Sequence, residues 1–213
     1  MKKFLVLLAA MSVSASAATV SFSHTSATAA APFTDVFTLQ KFDTTLGTLT
    51  GILINFATST TAEVDVFNST GVSQTFTNAT ATIPLTLTGP ATSVTVSPSA
   101  GPVNGTANPG FNAFTGITSS PAPSNTNVPS GSFSLYSGPG FSTNSFSVAA
   151  GAGTFSGNAV PGVFFGGSAT AGAVSSITYT YSAPTGTPEP ATMGLLGSAL
   201  IGLGLLKFRS KKS

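Results

Sequence analysis

Few side chains in this sequence could perform nucleophilic or acid–base chemistry. The chain has no cysteine, so neither a thiol nucleophile nor a thiolate metal ligand is available. His24 is the only histidine, and it is therefore the only imidazole that could act as the base of a catalytic triad. It lies close to the start of the predicted mature chain, where chain ends tend to fray. We predict no catalytic residue.

The carboxylates in the middle of the chain are the other chemical candidates, and they are Asp35, Asp43, Glu63 and Asp65. Carboxylate oxygens suit Ca²⁺, and Glu63 and Asp65 share one face of a predicted strand. No loop has ligands at EF-hand spacing, and glycoside hydrolysis would need two members of this same small set. Motifs for phosphates, dinucleotides and zinc are missing as well. We predict a solvated acidic face, no metal, no cofactor and a protein that is not an enzyme.

The stretch Leu39–Thr50 has the most distinctive pattern of the central part of the chain. Asp43 can accept backbone N–H bonds from the residues that follow it and so hold a turn. Gly47 permits a positive φ before the next strand. Phe42 and Leu46 are expected to anchor this turn to the core. We predict a structural role for the turn, with ligand binding as the alternative.

The elements around these residues read as strands, because period-two alternation is common and helical periodicity is hard to find. In Ala62–Val66 the apolar residues take one face and the carboxylates take the other. Such runs, rich in Val, Ile, Thr, Phe and Tyr, are typical of antiparallel strands with one wet face. Their spacing predicts an all-β fold, an antiparallel β-sandwich of roughly eight to eleven strands. The further candidates are Val20–Ser23, Val36–Phe42, Leu49–Phe56, Gln74–Thr77, Ile83–Leu87, Ser93–Ser97, Phe133–Tyr136, Phe146–Ala149 and Ile177–Tyr181.

Three parts of this pattern are less regular. Pro84 cannot donate to a ladder, so its strand is predicted at a sheet edge. Ser97–Gly131 contains six prolines and is predicted as a long excursion with one strand around Phe111–Ile117; unrecognised strands are the alternative. Ala150–Gly172 is rich in glycine and gives no clear assignment.

The first residues have the pattern of a secretory signal peptide. Met1-Lys2-Lys3 is positively charged, Phe4–Met11 is apolar, and Ala15-Ser16-Ala17 fits the small-x-small cleavage rule. We predict that residues 1–17 are removed and that the mature chain begins at Ala18. The apolar run is too short to favour an uncleaved anchor.

The last residues have three parts in a fixed order. Pro188-Glu189-Pro190 comes first, and the uncharged block Ala191–Leu206 follows it. A helix over that block would be about 24 Å long, against about 30 Å for a hydrocarbon core, so a single transmembrane helix through a thin bilayer is feasible. Four cations follow and are expected to keep that end in the cytoplasm, namely Lys207, Arg209, Lys211 and Lys212.

The positive charge lies almost wholly in these two ends. Between residues 18 and 187 the only basic residue apart from His24 is Lys41, and the four carboxylates leave that part at −3. A nucleic-acid or phosphate-binding surface is therefore excluded there despite the pI of about 9.1. Its surface, rich in Thr and Ser, suits a protein held on a surface or in a matrix.

The order of parts at the C-terminus resembles the PEP-CTERM sorting signal. That resemblance implies an exported bacterial protein, held in the inner membrane and then processed by an exosortase. The segment Phe42, Asp43, Leu46, Gly47, Thr48 and Leu49, with Tyr179-Thr180-Tyr181 near the end, resembles the choice-of-anchor E domains of surface-anchored bacterial proteins. That family has no established activity, so the second resemblance implies an anchored ectodomain and no catalytic residues.

The predicted organisation is a signal peptide (1–17), a sandwich ectodomain (18–183), a linker (184–187) and a sorting signal (188–213). We expect Sec export machinery, signal peptidase and an exosortase as processing partners. The expected role is structural or interactive, at the cell surface or in the extracellular matrix. Extracellular polysaccharide, and a link to biofilm, are implied by the PEP-CTERM resemblance alone. The alternative is a glycan- or ice-binding module, which flat arrays of Thr such as Thr178 and Thr180 would support.

Overall fold

The computed structural model describes residues 17–184 and the single position Gly197. The residues before Ala17 and those of the predicted sorting signal other than Gly197 lie outside the described residues, and so do residues 185–187 of the predicted linker. One compact unit spans Ala17–Ser182. Among the described residues, no helix has both the length and the hydrophobicity that crossing a membrane requires.

The described part of the chain is almost entirely antiparallel β-structure, which confirms the predicted fold class. Its strands are β1 (Ala17–Ala30), β2 (Phe33–Gln40), β3 (Phe42–Asp43), β4 (Thr48–Asn68), β5 (Gln74–Thr82), β6 (Leu85–Gly89), β7 (Thr92–Val96), β8 (Ser99–Ala107), β9 (Gly110–Ser119), β10 (Ser124–Asn127), β11 (Ser137–Gly138), β12 (Thr143–Ala150), β13 (Thr154–Ala159) and β14 (Val163–Ser182).

The first layer of the sandwich contains the three longest strands. β14 lies in the middle, paired antiparallel with β1 on one side and with β4 on the other. The other edge of β4 pairs with β10 over Leu53–Phe56 and with β9 over Thr60–Asn68. Along β4 the buried and more exposed residues alternate without a break from Ile52 to Asn68, as a strand with one core face requires. The sequence alternation in Leu49–Phe56 and Ala62–Val66 therefore belongs to one strand of 21 residues.

The second layer consists of two sheets placed end to end, and the chain passes from one sheet into the other at three places. One has the order β2-β12-β6-β7 and the other has the order β13-β5-β8. β5 continues into β6, β7 into β8 and β12 into β13, each after a gap of two or three residues. The gaps lie side by side, since Gly151 N–H donates to the Pro84 carbonyl and Ile83 N–H donates to that of Pro98.

The strand count of the described residues agrees with the expected range once these gaps are recognised. Fourteen strands reduce to nine chain paths when the three interrupted pairs are joined and the two-residue strands β3 and β11 are set aside. The predicted edge position of Pro84 is wrong. This proline precedes β6, which is paired on both sides, and it occupies the gap where no ladder N–H is needed.

The irregular excursion predicted for residues 97–131 is mostly strand. It contains β8, β9 and β10, and β9 includes the strand expected around Phe111–Ile117. Five of its six prolines lie between or after the strands, and Pro102 lies where the register between β5 and β8 shifts. The prolines therefore mark strand ends and a bulge, so they do not exclude a ladder.

The strand predicted at Phe133–Tyr136 is a single turn of α-helix, α1 (Phe133–Tyr136). Tyr136 is fully buried, and its hydroxyl donates to the Pro90 carbonyl and lies 3.1 Å from Thr92 Oγ1. The tertiary contact of one tyrosine thus overrides the strand propensity of its neighbours. The glycine-rich stretch 150–172 is also strand for the most part, in β13 and the first half of β14.

The core lies between the two layers and is built largely from the alternating positions of β4, β14, β5, β6 and β12. Phe76 of β5 contacts Phe165 of β14, with ring centroids 6.1 Å apart, and Phe114 of β9, with centroids 5.0 Å apart. Ile83, Leu85 and Leu87 are all buried, as their alternation predicts. The other large, fully buried side chains include Tyr136, Tyr179, Phe42, Phe56, Ile54 and Ile177.

Candidate functional site

The first and last residues of the sandwich lie side by side. Ala17 pairs with Ser182, and Ala18 pairs with Tyr181, in the β1–β14 register. The predicted cleavage point after Ala17 and the start of the predicted linker therefore leave the sandwich at the same end, which we call the terminal end. Ala15 and the predicted sorting residues lie outside the described residues, the latter being Pro188, Glu189, Pro190, Ala191, Leu206, Lys207, Arg209, Lys211 and Lys212.

The predicted turn at Asp43 is present at this end. Asp43 Oδ1 accepts the backbone N–H and the hydroxyl of Thr45, both at 2.9 Å, and so caps a 3-10 turn over Thr44–Leu46. These bonds hold the pKa of the Asp43 carboxyl below its usual value. Gly47 follows with φ of 140°, and β4 begins at Thr48. The local sequence thus makes the turn that its residue types predict.

Phe42 anchors this turn to the core, whereas Leu46 does not. The Phe42 ring is buried, with its centroid 5.9 Å from that of Tyr179 and 5.2 Å from that of Tyr181. Leu46 is 40% exposed, so its predicted anchoring role is wrong; the short turn leaves this side chain facing solvent. Leu49 pairs with Tyr181. The two segments that resemble choice-of-anchor E domains therefore contact each other, while the resemblance itself stays a prediction.

A hydrogen bond between the side chains of His24 and Asp35 links the two layers at their edge. The Nε2 atom of His24 lies 2.8 Å from Asp35 Oδ2, which joins β1 to β2. The imidazole also stacks on Phe37, with centroids 4.0 Å apart and planes within 11°. The hydrogen bond from His24 is the main cause that lowers the pKa of the Asp35 carboxyl. This geometry gives the chain's only histidine a bridging role between strands.

The four carboxylates of the sandwich do not form one cluster. Asp35 is paired with His24, and Asp43 caps its turn. Glu63 and Asp65 share the outward face of β4, as the alternation predicts. Within residues 17–184, no group of three or more His, Cys, Asp or Glu side chains could hold a metal ion.

A band of hydroxyls covers the outward face of the first layer near the terminal end. Cross-strand pairs join Thr19 to Thr180, Ser21 to Thr178, and Ser23 to Ser176. The hydroxyls of Ser21 and Thr178 are hydrogen-bonded at 2.8 Å. We call these six residues the hydroxyl band; Thr178 and Thr180 share its face, as the sequence alternation indicates.

A row of three exposed phenylalanines lies at the opposite end of the same face, which we call the far end. Phe164 of β14 pairs with Phe67 of β4, and Phe67 pairs with Phe111 of β9. Directly paired residues project on the same side of a sheet, so the three side chains occupy neighbouring positions on this face. They are 60%, 47% and 67% exposed, respectively. We call them the aromatic row.

Sequence reasoning did not find the aromatic row. Each of its members is next to a strand end, and each is a large apolar residue at the position in the alternation that faces solvent. That mismatch between residue type and face is a recognisable signal, but it requires knowing the strand partners. Val72 and Val160, in the neighbouring turns, are exposed as well.

The far end is held together by side chains of asparagine. Asn68 is buried, and its Nδ2 donates to the carbonyls of Val72 and Ala107 at 2.7 and 2.9 Å. Asn112 Nδ2 donates to the Asn108 carbonyl at 2.8 Å and lies 3.2 Å from the carbonyl oxygens of Val66 and Gly110. These bonds tie the turns at the far end to β4, so the aromatic row stands on a defined backbone.

Comparison with known proteins gives little information about the sandwich. No curated protein matches the chain significantly. A solved structure of infectious bursal disease virus, Gt strain, is similar at 14% identity over 88% of this chain. The chain spans 48% of that viral chain, and the TM-score of 0.18 is too low to carry an argument about fold or function.

The comparison is informative at the C-terminus. A PEP-CTERM protein-sorting motif matches residues 187–212. This confirms the sorting signal that the tripeptide, the apolar block and the basic end predict. The chain carries a PEP-CTERM protein-sorting motif and is therefore an exported surface protein, anchored in the membrane and then processed by an exosortase.

Proposed function

We propose that the sandwich is a non-enzymatic structural or interaction module, delivered to the cell surface or extracellular matrix. The observation that carries the proposal is the sorting motif at residues 187–212, attached to a sandwich whose ionisable groups are dispersed. Asp35 and Asp43 are already engaged in local bonds, and the sole imidazole is paired with one of them. Such an arrangement supports display and recognition better than acid–base chemistry.

The proposal includes a route of export with one processing step at each end of the chain. Sec machinery and signal peptidase would act on residues 1–17, and the exosortase would act near Pro188-Glu189-Pro190. Before that step the block Ala191–Leu206 would hold the chain in the inner membrane, with its basic end in the cytoplasm. The product would join extracellular polysaccharide in a matrix or biofilm. The side-by-side positions of Ala17 and Ser182 support this route, because both processing events then occur at one end of the sandwich.

Intact-mass analysis of the protein extracted from the surface of its native host tests this proposal. We expect a species that lacks both Met1–Ala17 and the residues after the Pro-Glu-Pro tripeptide, with or without an added group. Recovery of the chain from the cytosol with Lys211 and Lys212 still attached would refute it.

Ice binding is the second candidate, and the hydroxyl band is the observation that favours it. Its paired Thr and Ser residues form a regular two-dimensional array, with rows about 4.8 Å apart across strands. Ice recrystallisation assays on the wild type and on Thr178→Lys test this candidate. Thr75→Lys, on an exposed position of β5, is the matched control. Inhibition that Thr178→Lys abolishes and Thr75→Lys preserves would support it, and no inhibition by the wild type would exclude it.

A further inference from the structure

The aromatic row is the most unusual surface of the described part of the chain. Three phenylalanines occupy neighbouring positions on adjacent strands where the alternation of their strands calls for polar side chains. Taking about 200 Å² for a whole phenylalanine side chain, their exposed fractions amount to about 350 Å². A contiguous apolar patch of that size is at the level of patches that carry function on monomeric proteins.

The area of the row argues against a stable dimer as its occupant. If two copies covered their rows completely, about 700 Å² of ring surface would be buried. Specific protein–protein interfaces bury about 1,200 Å² or more. The row is better matched to a narrow partner that lies across it.

The charge around the row restricts the chemistry of that partner. The nearest ionisable side chains on the same strand face are Asp65, two residues before Phe67, and Glu63 beyond it. Both are acidic, so they would repel an anionic polymer and can accept hydrogen bonds from hydroxyl groups. No lysine or arginine lies on the far end within residues 17–184.

The residues paired directly with Asp65 are small, Gly166 on one side and Ala113 on the other. One oxygen of the Asp65 carboxylate, Oδ1, is nevertheless buried, and it has no hydrogen-bond partner in the described part of the chain. A Cβ built on Gly166 would meet no atom within 4 Å. A flat ligand could therefore contact the rings and Asp65 Oδ2 together.

We propose that the aromatic row, with Asp65 beside it, binds a neutral polysaccharide whose sugar rings pack on Phe164, Phe67 and Phe111. The C–H groups of a pyranose ring carry partial positive charge and are attracted to the negative face of a phenyl ring. Three strands spaced about 4.8 Å apart give a row of about 10 Å between the outer Cα atoms, which suits a disaccharide unit of an extended chain. Asp65 Oδ2 accepts hydrogen bonds from the sugar hydroxyls, since Oδ1 is buried.

The position of the row agrees with this role. Phe164 and Ser182 lie at opposite ends of β14, so the row is about 60 Å along the strand from the terminal end. A chain attached through residues after Ser182 would hold the row away from its attachment point. This inference rests on the proposed function, because it assigns a ligand class to the displayed module.

Affinity electrophoresis of the processed full chain, extracted from the surface of its host, tests the inference. Native gels would contain hydroxyethyl cellulose, dextran or galactomannan as neutral polymers, alginate as an anionic polymer, or no polymer. The variants are Phe111→Ala and Phe164→Ala, with Phe111→Tyr as the conservative change. Phe141→Ala is the matched control, because Phe141 is 87% exposed and lies outside the row.

We expect at least one neutral polymer to retard the wild type and Phe141→Ala equally, and alginate to retard neither. Each alanine variant in the row should bind about tenfold more weakly, while Phe111→Tyr retains binding. The inference is overturned if no neutral polymer retards the wild type, or if Phe141→Ala loses as much binding as Phe111→Ala. Alginate binding that is insensitive to Phe111→Ala, self-association lost in the row variants, or binding to neutral lipid vesicles through the row would overturn it equally.

Intact mass and surface location, measured on the same extracts, separate this inference from the proposed function. A wild type that is processed and displayed but is not retarded by any neutral polymer refutes the ligand and leaves the proposed function in place. A wild type that is neither processed nor displayed refutes the proposed function itself.

Discussion

Gly167 has the backbone conformation and the neighbours that least tolerate a side chain. Its φ is 147°, and a Cβ at this position would run into the Glu63 carbonyl oxygen and lie 2.7 Å from the Phe155 ring. The adjacent Gly166 has open space where its Cβ would be. The backbone therefore requires glycine at position 167 but has room for a side chain at position 166.

We predict that Gly167→Ala lowers the free energy of unfolding by more than about 2 kcal/mol. The reason is that the added methyl group would clash with the Glu63 carbonyl oxygen and with the Phe155 ring. Gly166→Ala should change it by less than about 1 kcal/mol, since a strand interior slightly prefers alanine to glycine. Urea unfolding of the two variants and the wild type measures the difference. Equal unfolding midpoints for the two variants would contradict the close approach at Gly167.

The pair of His24 and Asp35 should make the sandwich sensitive to acid. The folded-state pKa of Asp35 is lowered, chiefly by the hydrogen bond from His24. A carboxyl with a lowered folded pKa contributes stability above its unfolded pKa of about 3.9, and that contribution is lost as the pH falls through the folded value. The loss should therefore occur below about pH 4.

We predict that Asp35→Asn and His24→Gln each reduce the stability lost between pH 5 and pH 2. The effect should be below about 1 kcal/mol, because both side chains are about one-third exposed and solvent weakens the pair. Thermal unfolding across this pH range, with the double variant included, gives the coupling energy. Fully additive effects of the two substitutions on acid sensitivity would show that the pair does not act as a unit.

At the scale of elements, the attachment of the Asp43 turn to the sandwich depends on the aromatic ring of Phe42. Phe42 is buried against Tyr179 and Tyr181, whereas Leu46 projects toward solvent from the same turn. The turn is held from within by the bonds from Thr45 to Asp43. Its connection to the sandwich is therefore a packing contact at one position.

We predict that Phe42→Ala costs about 3–5 kcal/mol of stability, because it leaves a cavity beside the rings of Tyr179 and Tyr181. Leu46→Ala should cost less than about 1 kcal/mol, since Leu46 is 40% exposed in a surface turn and does not belong to the buried core. Chemical denaturation measures both. A larger loss for Leu46→Ala than for Phe42→Ala would reverse our assignment of the anchor.

At the scale of the whole molecule, the sorting motif determines where the sandwich is displayed. We predict that removal of Lys207–Ser213 leaves the chain uncut and missorted, because the cations that retain the C-terminus in the cytoplasm are lost. Surface fractionation and intact mass of the truncated chain check this. The control variant keeps every positive charge: each lysine of this segment is replaced by arginine, and Arg209 is replaced by lysine. This variant should sort normally. Normal surface display of the truncation would contradict the prediction.

The hydrophobic alternation was sufficient to predict much of this protein. The buried positions of Ile83, Leu85 and Leu87 and the shared face of Glu63 and Asp65 follow from a period of two, which is a local property. The Asp43 turn is local too, since Asp43 bonds a residue two positions away. The sorting motif could be recognised from the order of its parts, which needs no tertiary structure.

Other features depend on partners that are distant along the chain. The prolines of residues 97–131 indicated an irregular loop, but the pairing of β8, β9 and β10 with β5 and β4 makes strands of it. Pro84 is accommodated in a central strand path because the neighbouring strands are interrupted at the same level. Phe133–Tyr136 is a helical turn because Tyr136 is held by Pro90 and Thr92, more than 40 positions earlier.

The sequence by itself determined the class of fold, the Asp43 turn and the sorting signal, because each depends on residue types at short, fixed spacings. Only the tertiary structure decided which strands are neighbours, and with them the pairing of His24 with Asp35 and the aromatic row. Phe67, Phe111 and Phe164 are far apart in the sequence, and only the register of β9, β4 and β14 places them side by side. Register is set by the burial of whole sheet faces, so a surface assembled across strands cannot be read from any one of them.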